Sequence, residues 1–362
     1  MSISPEVKGA LMGLGAAALF GLSAPMAKLL LPTSGPLLLA SLLYLGGGLG
    51  LSLVGVVARL RRTASPSREA PLERRDWPLL AGVILCGGML GPVLMLVGLG
   101  RLSGVSTSLL LNLEGPFTIL MAVLLFGEHL GRRAAVAAGF IFCGAAVLGL
   151  QAGEVRADGP GVLAVAGACL SWAVDNNLTQ RLSLKDPVAV VRTKALGAGA
   201  CMLVIAMATG HQPLPGAGVL AAALALGAAS YGLSIVLDMY ALRLLGAARE
   251  AAYFATAPFL GALAAIPLLG EQLSLTQLLG GAAMVLGVVL LVRERHGHVH
   301  THEPLEHEHL HVHDEHHQHE HPGMTGATEP HSHPHRRFPL THDHPHVSDP
   351  HHRHKHGPPR AR

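Results

Sequence analysis

The chain runs to 362 residues, half of them hydrophobic and only 14% charged, with a formal net charge of +3. Apolar content of that order, laid out in long stretches, excludes a soluble globular protein, which would expose far more apolar surface than water tolerates. All four cysteines, Cys86, Cys143, Cys169 and Cys201, fall inside those stretches, so no disulfide framework or CxxC site is present. Neither a nucleic-acid partner nor a required cofactor is expected.

In chain order the apolar stretches cover 9–31, 35–58, 77–100, 104–126, 132–151, 160–182, 187–209, 217–241, 247–269 and 274–292. Most reach the roughly 20 residues that a helix needs to cross a bilayer. The expected fold class is an all-α polytopic membrane protein with ten transmembrane helices, its partner the lipid bilayer. Glycines sit close together inside the spans, as in Gly9 with Gly13, Gly87 with Gly88 and Gly280 with Gly281. Such spacing lets helix backbones approach closely in lipid. Pro25, Pro92, Pro116 and Pro258 interrupt spans 1, 3, 4 and 9. Each removes a backbone donor and invites a kink, and Pro25, Pro116 and Pro258 are the hinge candidates.

Lys and Arg crowd cytoplasmic loops. With the N-terminus inside, the inner loops hold Arg59, Arg61, Arg62, Arg68, Arg74 and Arg75, then Arg132 and Arg133, Arg181 and Lys185, Arg243 and Arg249, and Arg293 and Arg295. The outer side has only Lys28, Arg101 and Arg156. Both termini are thus expected in the cytoplasm. Arginine outnumbers lysine 21 to 5 beside heavy Ala, Gly and Leu usage, which points to a GC-rich bacterial source and hence to a bacterial inner membrane.

The sequence also repeats itself. Arg101-Leu102, Gly104 and Pro116 return 142 positions later as Arg243-Leu244, Gly246 and Pro258. Gly127-Glu128-His129-Leu130 and Gly144 return 143 positions later as Gly270-Glu271-Gln272-Leu273 and Gly287. The expected organisation is a first five-helix repeat over 1–150, an outer linker over 151–159, a second repeat over 160–293 and a His-rich tail over 294–362. Five spans is an odd number, so the second copy enters the membrane from the opposite side and the repeats are inverted, an arrangement used for alternating access.

Two five-span halves, each closing with a proline-containing span, a Gly-Glu-x-Leu turn and a glycine-bearing final span, resemble the EamA family of the drug/metabolite transporter superfamily. The resemblance covers 9–292 and is most specific over Pro116 to Gly144 and Pro258 to Gly287, with Phe20-Gly21 and Trp172-Ala173 as weaker support. It implies a transporter of small organic solutes such as amino acids, their metabolites or drugs, often moved outward, with a central cavity between the halves.

Ionisable side chains in hydrocarbon ask for a function or a partner. Glu114 stands at the centre of span 4 beside Gly115 and Pro116, while its counterpart in span 9 is neutral Thr256. It is a candidate for taking and releasing a proton, or for pinning helices together. Asp175 and Lys194 lie equally far from the turn at Leu184 and Lys185. In an antiparallel hairpin they reach the same depth, about 14 Å from the bend at the helical rise, so an ion pair is geometrically expected. Asn112, Asn176, Asn177, Trp172, Tyr231, Tyr240 and Tyr253 complete the polar and aromatic candidates for a cavity wall or for helix packing. Glu128 and Glu271, each after a glycine at a span junction, read as residues opening the next helix.

Twenty-two of the 24 histidines lie between His296 and His356. The alternations His296-x-His298-x-His300-x-His302 and His307-x-His309-x-His311-x-His313 suit zinc (Zn), nickel (Ni), cobalt (Co) or copper (Cu) in adaptable sites. Polarity, proline and low complexity predict a disordered cytoplasmic tail. The functional expectation is a secondary transporter, an exporter of a small organic solute, with divalent metal ions as tail ligands. The alternatives are a divalent metal exporter or a nontransporting membrane metal sensor. An embedded hydrolase is disfavoured: there is no HExxH motif, and His129 and His211 sit at loop edges.

Overall fold

The computed structural model describes the backbone at residues 5–61, 70–126, 132–149, 159–182, 185–210, 214–245 and 247–292, and in the tail at 296–302, 305–311, 331–337 and 340–346. Side chains are described over 6–292 apart from those gaps and positions 58, 59, 122, 125, 126, 180, 243, 247 and 248. The linker over 151–158 and the turn holding Glu128 lie outside the described residues.

Helix α1 (Pro5–Gly21) is separated from α2 (Ser23–Leu60) by a turn at Leu22. Helix α2 is really two rods, because Gly35 between Pro32 and Pro36 has φ 62 and ψ 166. Only a residue without Cβ takes that conformation readily, and the chain reverses there. A 3-10 turn (Arg74–Asp76) leads into α3 (Trp77–Val83), a π-helical segment (Ile84–Leu90) and α4 (Gly91–Arg101). Helix α5 (Gly104–Leu110) starts at Ser103, whose hydroxyl accepts the Ser106 N–H. It passes through a 3-10 turn (Leu111–Leu113) into α6 (Glu114–Phe126), and α7 (Arg132–Gly149) follows.

Beyond the linker, α8 (Gly159–Thr179) ends in a 3-10 turn, and α9 (Pro187–Thr209) is capped by Asp186, whose carboxylate accepts from Val188 and Ala189. Then come α10 (Ala217–Gly227), a second π-helical segment (Ala228–Leu233), α11 (Ser234–Leu245), α12 (Ala247–Phe254), α13 (Ala257–Leu269) and α14 (Leu275–Val292). The two π-helical segments occupy corresponding places in the two halves.

Among the described residues, seven stretches have the length and hydropathy to cross a membrane, the first of them, Glu6–Val57, containing both rods of the α2 bend. Large aliphatic side chains on the outer surface, such as Leu163 at 72% and Val204 at 68% exposure, face outward instead of inward. That is the pattern of a bundle solvated by lipid, in which close helix contact replaces the hydrophobic drive. Helix α7 packs along α14, α2 along α9 and α10, α1 along α11, and α4 along α8. A Cβ on Gly144 would lie 2.7 Å from the Gly280 carbonyl oxygen, so the α7/α14 crossing admits no side chain there.

The hinge candidates share one setting. Pro25 follows the turn at Leu22, Pro116 follows the 3-10 turn before α6, and Pro258 sits in the first turn of α13 after the break at Ala255 and Thr256. A first turn has no intrahelical partner for that N–H, so proline fits there without loss.

In the tail four segments are extended. Strand β1 (His296–His302) pairs antiparallel with β4 (Leu340–His346), and β2 (Leu305–His311) with β3 (His331–Arg337). The physical reason is the His-x-His alternation, whose period of two is also that of a strand. Each ladder has two strands only, a form that is marginally stable alone in water.

Candidate functional site

Helix α8 carries the polar face of the bundle. Trp172, Asp175, Asn176 and Thr179 recur at helical spacing on a helix that packs against the first π-helical segment and α6, with Lys194 of α9 reaching Asp175. The π-helical segment creates the docking point. Gly91 donates its N–H to the Cys86 carbonyl, five residues back, and the next residue, Pro92, has no N–H to give to Gly87. The Gly87 carbonyl is therefore left without a backbone donor. Two side chains replace it: the Tyr44 hydroxyl donates at 2.7 Å and the Trp172 indole Nε1 at 3.1 Å.

Gly87 is also where Asp175 fits. A Cβ at Gly87 would lie 2.0 Å from the Asp175 Cγ, so only glycine leaves room for the carboxylate. Asp175 Oδ2 forms an ion pair with Lys194 Nζ of α9, and Oδ1 accepts from the Thr179 hydroxyl at 3.3 Å. Both partners are mostly enclosed, with side-chain exposures of 6% and 15%. The hairpin thus brings together the two charges that equal spacing from the turn had paired.

Glu114 opens α6, directly after the 3-10 turn. Asn176 Nδ2 donates to its Oε1 at 2.8 Å, and Asn177 Nδ2 donates to the Thr118 carbonyl at 3.1 Å and to the Ala173 carbonyl at 2.8 Å. Glu114 is only half-buried and Asn176 is exposed, yet Glu114 is within electrostatic reach of Asp175, Lys194 and Asp238 from α8, α9 and α11. Its open side therefore faces the interior of the bundle.

An aromatic wall adjoins these charges. Phe20 meets Trp172 at 6.4 Å, Tyr231 at 6.1 Å and Phe254 at 5.4 Å between ring centroids, and Tyr44 meets Tyr231 at 5.1 Å. The Tyr231 hydroxyl is fully enclosed; the Ser23 side chain is near it without completing a hydrogen bond.

Two expected residues lie elsewhere. Asn112 is buried and donates to the Leu109 carbonyl of its own helix at 2.8 Å, and Tyr253 packs on Gly13 between α1 and α12. Glu271 was expected to open its own next helix, yet it caps another. Its carboxylate accepts the Gly104 N–H at 2.6 Å and the Val105 N–H at 2.9 Å at the start of α5, and Lys28 Nζ stands 3.4 Å from Oε1 while donating to the Leu102 carbonyl at 2.5 Å. The reason is the positive end of α5, which has unpaired N–H groups to satisfy. Gln277 Nε2 adds bonds to the Ser103 and Ser106 hydroxyls, each at 3.0 Å.

A second polar cluster ties the segment before α3 to the loop between α8 and α9. Lys185 Nζ lies 2.9 Å from Glu73 Oε1 and 3.1 Å from Asp76 Oδ2, while the Asp186 N–H donates to the Ala70 carbonyl at 2.9 Å. The Lys185 hydrogen bond holds the Glu73 carboxyl below its ordinary value. Partial burial pushes Asp76 up, but the Glu73 N–H and Lys185 outweigh it and the net direction is down. Burial likewise works against the Lys185 charge and its two carboxylate partners overcome it, raising the amine.

Sequence reasoning did not place Tyr44 or Thr118 at the site, and it read Phe20 and Gly87 as family and packing residues; all four are set in apolar runs. A usable signal for Gly87 existed in Pro92, five residues on, the spacing at which a π turn loses its donor. Among the described residues no group of three or more His, Cys, Asp or Glu side chains is placed to hold a metal. The tail candidates His296, His298, His300, His302, His307, His309, His311 and His313 fall on β1, β2 and beyond, with side chains outside the described residues.

Enclosed ion pairs and an inward-facing carboxyl, held among helices long and apolar enough to cross a bilayer, define a membrane transport protein. The chain belongs to the EamA-like transporter family, whose sequence profile matches residues 7–150 and 159–293. It is similar to a protein described as "Uncharacterized transporter" from Methanothermobacter thermautotrophicus (strain ATCC 29096 / DSM 1053 / JCM 10044 / NBRC 100330 / Delta H), 29% identical over 285 residues, covering 75% of this chain and 82% of the relative. A solved chain titled "Crystal structure of protein" shares the fold with a TM-score of 0.56 and 20% identity, over 78% of this chain and 96% of that one.

Proposed function

We propose that the protein is a secondary transporter that exports a small organic solute across a bacterial inner membrane by alternating access, using ten spans in two inverted five-helix halves. The carrying observation is the Asp175–Lys194 pair with Glu114–Asn176, a polar belt where α8 and α9 of the second half meet α2, α6 and the π-helical segment of the first. Transporter sites characteristically form at such repeat junctions near the midplane. The inverted arrangement is supported by the matched π-helical segments and by the pairing of α2 with α9 and α7 with α14, each helix against its own counterpart.

The sorting of the loops into two opposite sides is supported by their contacts. Lys28, Leu102, Gly104 and Glu271, all assigned to the outer side, converge on one clasp, and Glu73, Asp76 and Lys185, all assigned to the inner side, converge on another. Each clasp ties together loops on its own side. Asp175, Lys194, Glu114, Asn176 and Trp172 are the substrate and coupling residues, with Asn177 positioning α6 through Thr118.

The reading is tested by growing a deletion strain against amino-acid analogues and metal salts, then measuring efflux of any solute that discriminates, in vesicles carrying the full-length protein. No solute-dependent difference and no efflux would end it. A second reading rests on the tail's 22 histidines, which favour metal export or sensing. Metal efflux that survives truncation after Val292 would assign ion transport to the bundle, whereas metal binding without efflux would assign it to the tail.

A further inference from the structure

We propose that the tail clamps divalent cations of the zinc class between its two histidine arms: in each ladder two adjacent histidine pairs of the register supply four imidazoles to one ion, and the ion closes residues 331–346 back onto 296–311. The proposal deepens the second reading above and rests on it only for the premise that the tail binds metal; it does not depend on what the bundle carries.

The juxtaposition lies in the register. In one ladder His296, His298 and His300 stand opposite His346, His344 and His342. In the other, His307, His309 and His311 stand opposite His335, His333 and His331. Every histidine of β2, β3 and β4 is thus paired with a histidine, and in β1 the exception is His302, opposite Leu340. A slip of one residue in either direction would leave no histidine of these strands opposite another.

One register serves both ladders. His302 with Leu340 and Leu305 with Arg337 are separated by the same number of residues on each arm. Across that interval the alternation changes phase on both arms, because His302 to His307 is a step of five residues and His335 to His342 a step of seven, both odd. The two arms shift together, so the match survives. Histidines that bound metal along one arm alone would have no reason to change phase at mirrored places. Glu306 opposite Arg336 is an opposed charge pair that favours the same register.

The positions between the histidines give the ladders no apolar face to fix their pairing: Val299 stands opposite Asp343, Thr301 opposite Thr341 and Leu310 opposite Ser332. Two strands alone are marginal in water, so the histidine rows must supply the stabilisation. Directly opposite residues have Cβ atoms about 4.5–5.5 Å apart, and residues two apart on a strand share a face at about 6.8 Å. Two adjacent pairs therefore set four imidazoles around one position, the number that closed zinc sites take, and imidazole equally suits nickel or copper. A metal whose ligands come together only on folding contributes its binding energy to that folding. Ligands drawn from both arms convert it into strand pairing. Since β1 begins at His296, soon after α14 ends at Val292, closure draws the distal arm to the end of the bundle.

The test uses the full-length protein in detergent, stripped with a chelator and titrated with zinc chloride. Nitroxides are attached through Val299→Cys and Asp343→Cys, register partners outside the histidine rows, and bound zinc is counted by calorimetry on the same samples. Zinc is expected to bring dipolar broadening to the doubly substituted protein and none to Val299→Cys alone, which carries the same native cysteines. Replacing His296, His298 and His300 by Asn, or His342, His344 and His346 by Asn, should each abolish the broadening, since either change removes half the ligands of every site in that ladder. These substitutions lie outside the bundle, and an unchanged elution profile reports that it stays folded. Broadening that persists in either triple variant, or that is already complete before zinc is added, overturns the proposal. Zinc bound without broadening overturns the clamp and leaves metal binding by the tail standing, whereas no zinc bound at all overturns both. Transport is decided separately by the efflux measurement.

Discussion

Gly87 shows how much a single position can determine. Its missing side chain makes room for Asp175, and its unpaired carbonyl anchors Tyr44 and Trp172. Gly87→Ala is expected to destabilise the protein by about 1–3 kcal/mol, as overpacking does, read as a lower melting temperature in detergent. Tyr44→Phe removes one of two donors and should cost about 0.5–1.5 kcal/mol. For the Asp175–Lys194 pair, breaking one side leaves an uncompensated enclosed charge, a loss of about 3–5 kcal/mol. Asp175→Asn or Lys194→Met alone should therefore impair both stability and transport, and the double variant should recover assembly but not transport. Wild-type behaviour in both single variants would remove the pair from the mechanism. The pair was legible because its geometry follows from counting residues to a turn; Tyr44 was not, because a tyrosine within an apolar run carries no mark of the carbonyl it meets.

Among the elements, helix ends hold the bundle's two faces. Glu271 neutralises the start of α5 with two charge-assisted bonds while Lys28 ties α2 to the Leu102 carbonyl. Hydrogen bonds to charged groups contribute about 1.5–3 kcal/mol, so Glu271→Gln should loosen the outer face. Cysteines placed at Ser103 and labelled from outside with an impermeant maleimide should then react faster; an unchanged rate would deny the clasp a closing role. On the inner face, Glu73 and Asp76 have lowered values, so their contribution is present above their ordinary values of 4.5 and 3.8 and is lost as pH falls through the lower folded values. Lys185 is raised, so its share is complete below 10.5 and is lost as pH climbs through the higher folded value. A nitroxide at Arg74 should stay immobile through the neutral range and become mobile at both extremes. The Gly-Glu motif announced a helix end in the sequence, but which helix it serves depends on a contact 167 residues away, and local spacing carries no such information.

At the scale of the whole molecule, the run of apolar stretches made the class readable before any coordinates, since a lipid-embedded backbone must satisfy its own hydrogen bonds within apolar helices. The inverted arrangement predicts that cysteines at Leu102 and Leu244 react from opposite sides of the membrane; labelling of both from one side would undo it. Prolines placed at helix starts lie at the breaks, and the histidine alternation has the period of a strand.

The paired π-helical segments make the two halves mechanically unequal. A π turn stores one residue beyond the α-helical count, and sliding it along by a turn swings the intervening side chains by roughly 100° at fixed length. In the first half Pro92 has no N–H with which to re-form the ladder, and two side chains already grip the exposed carbonyl, so that bulge is locked. In the second half the corresponding position is Ile235, which can donate, so the bulge is free to migrate. The two halves thus differ in whether that turn can re-form its ladder.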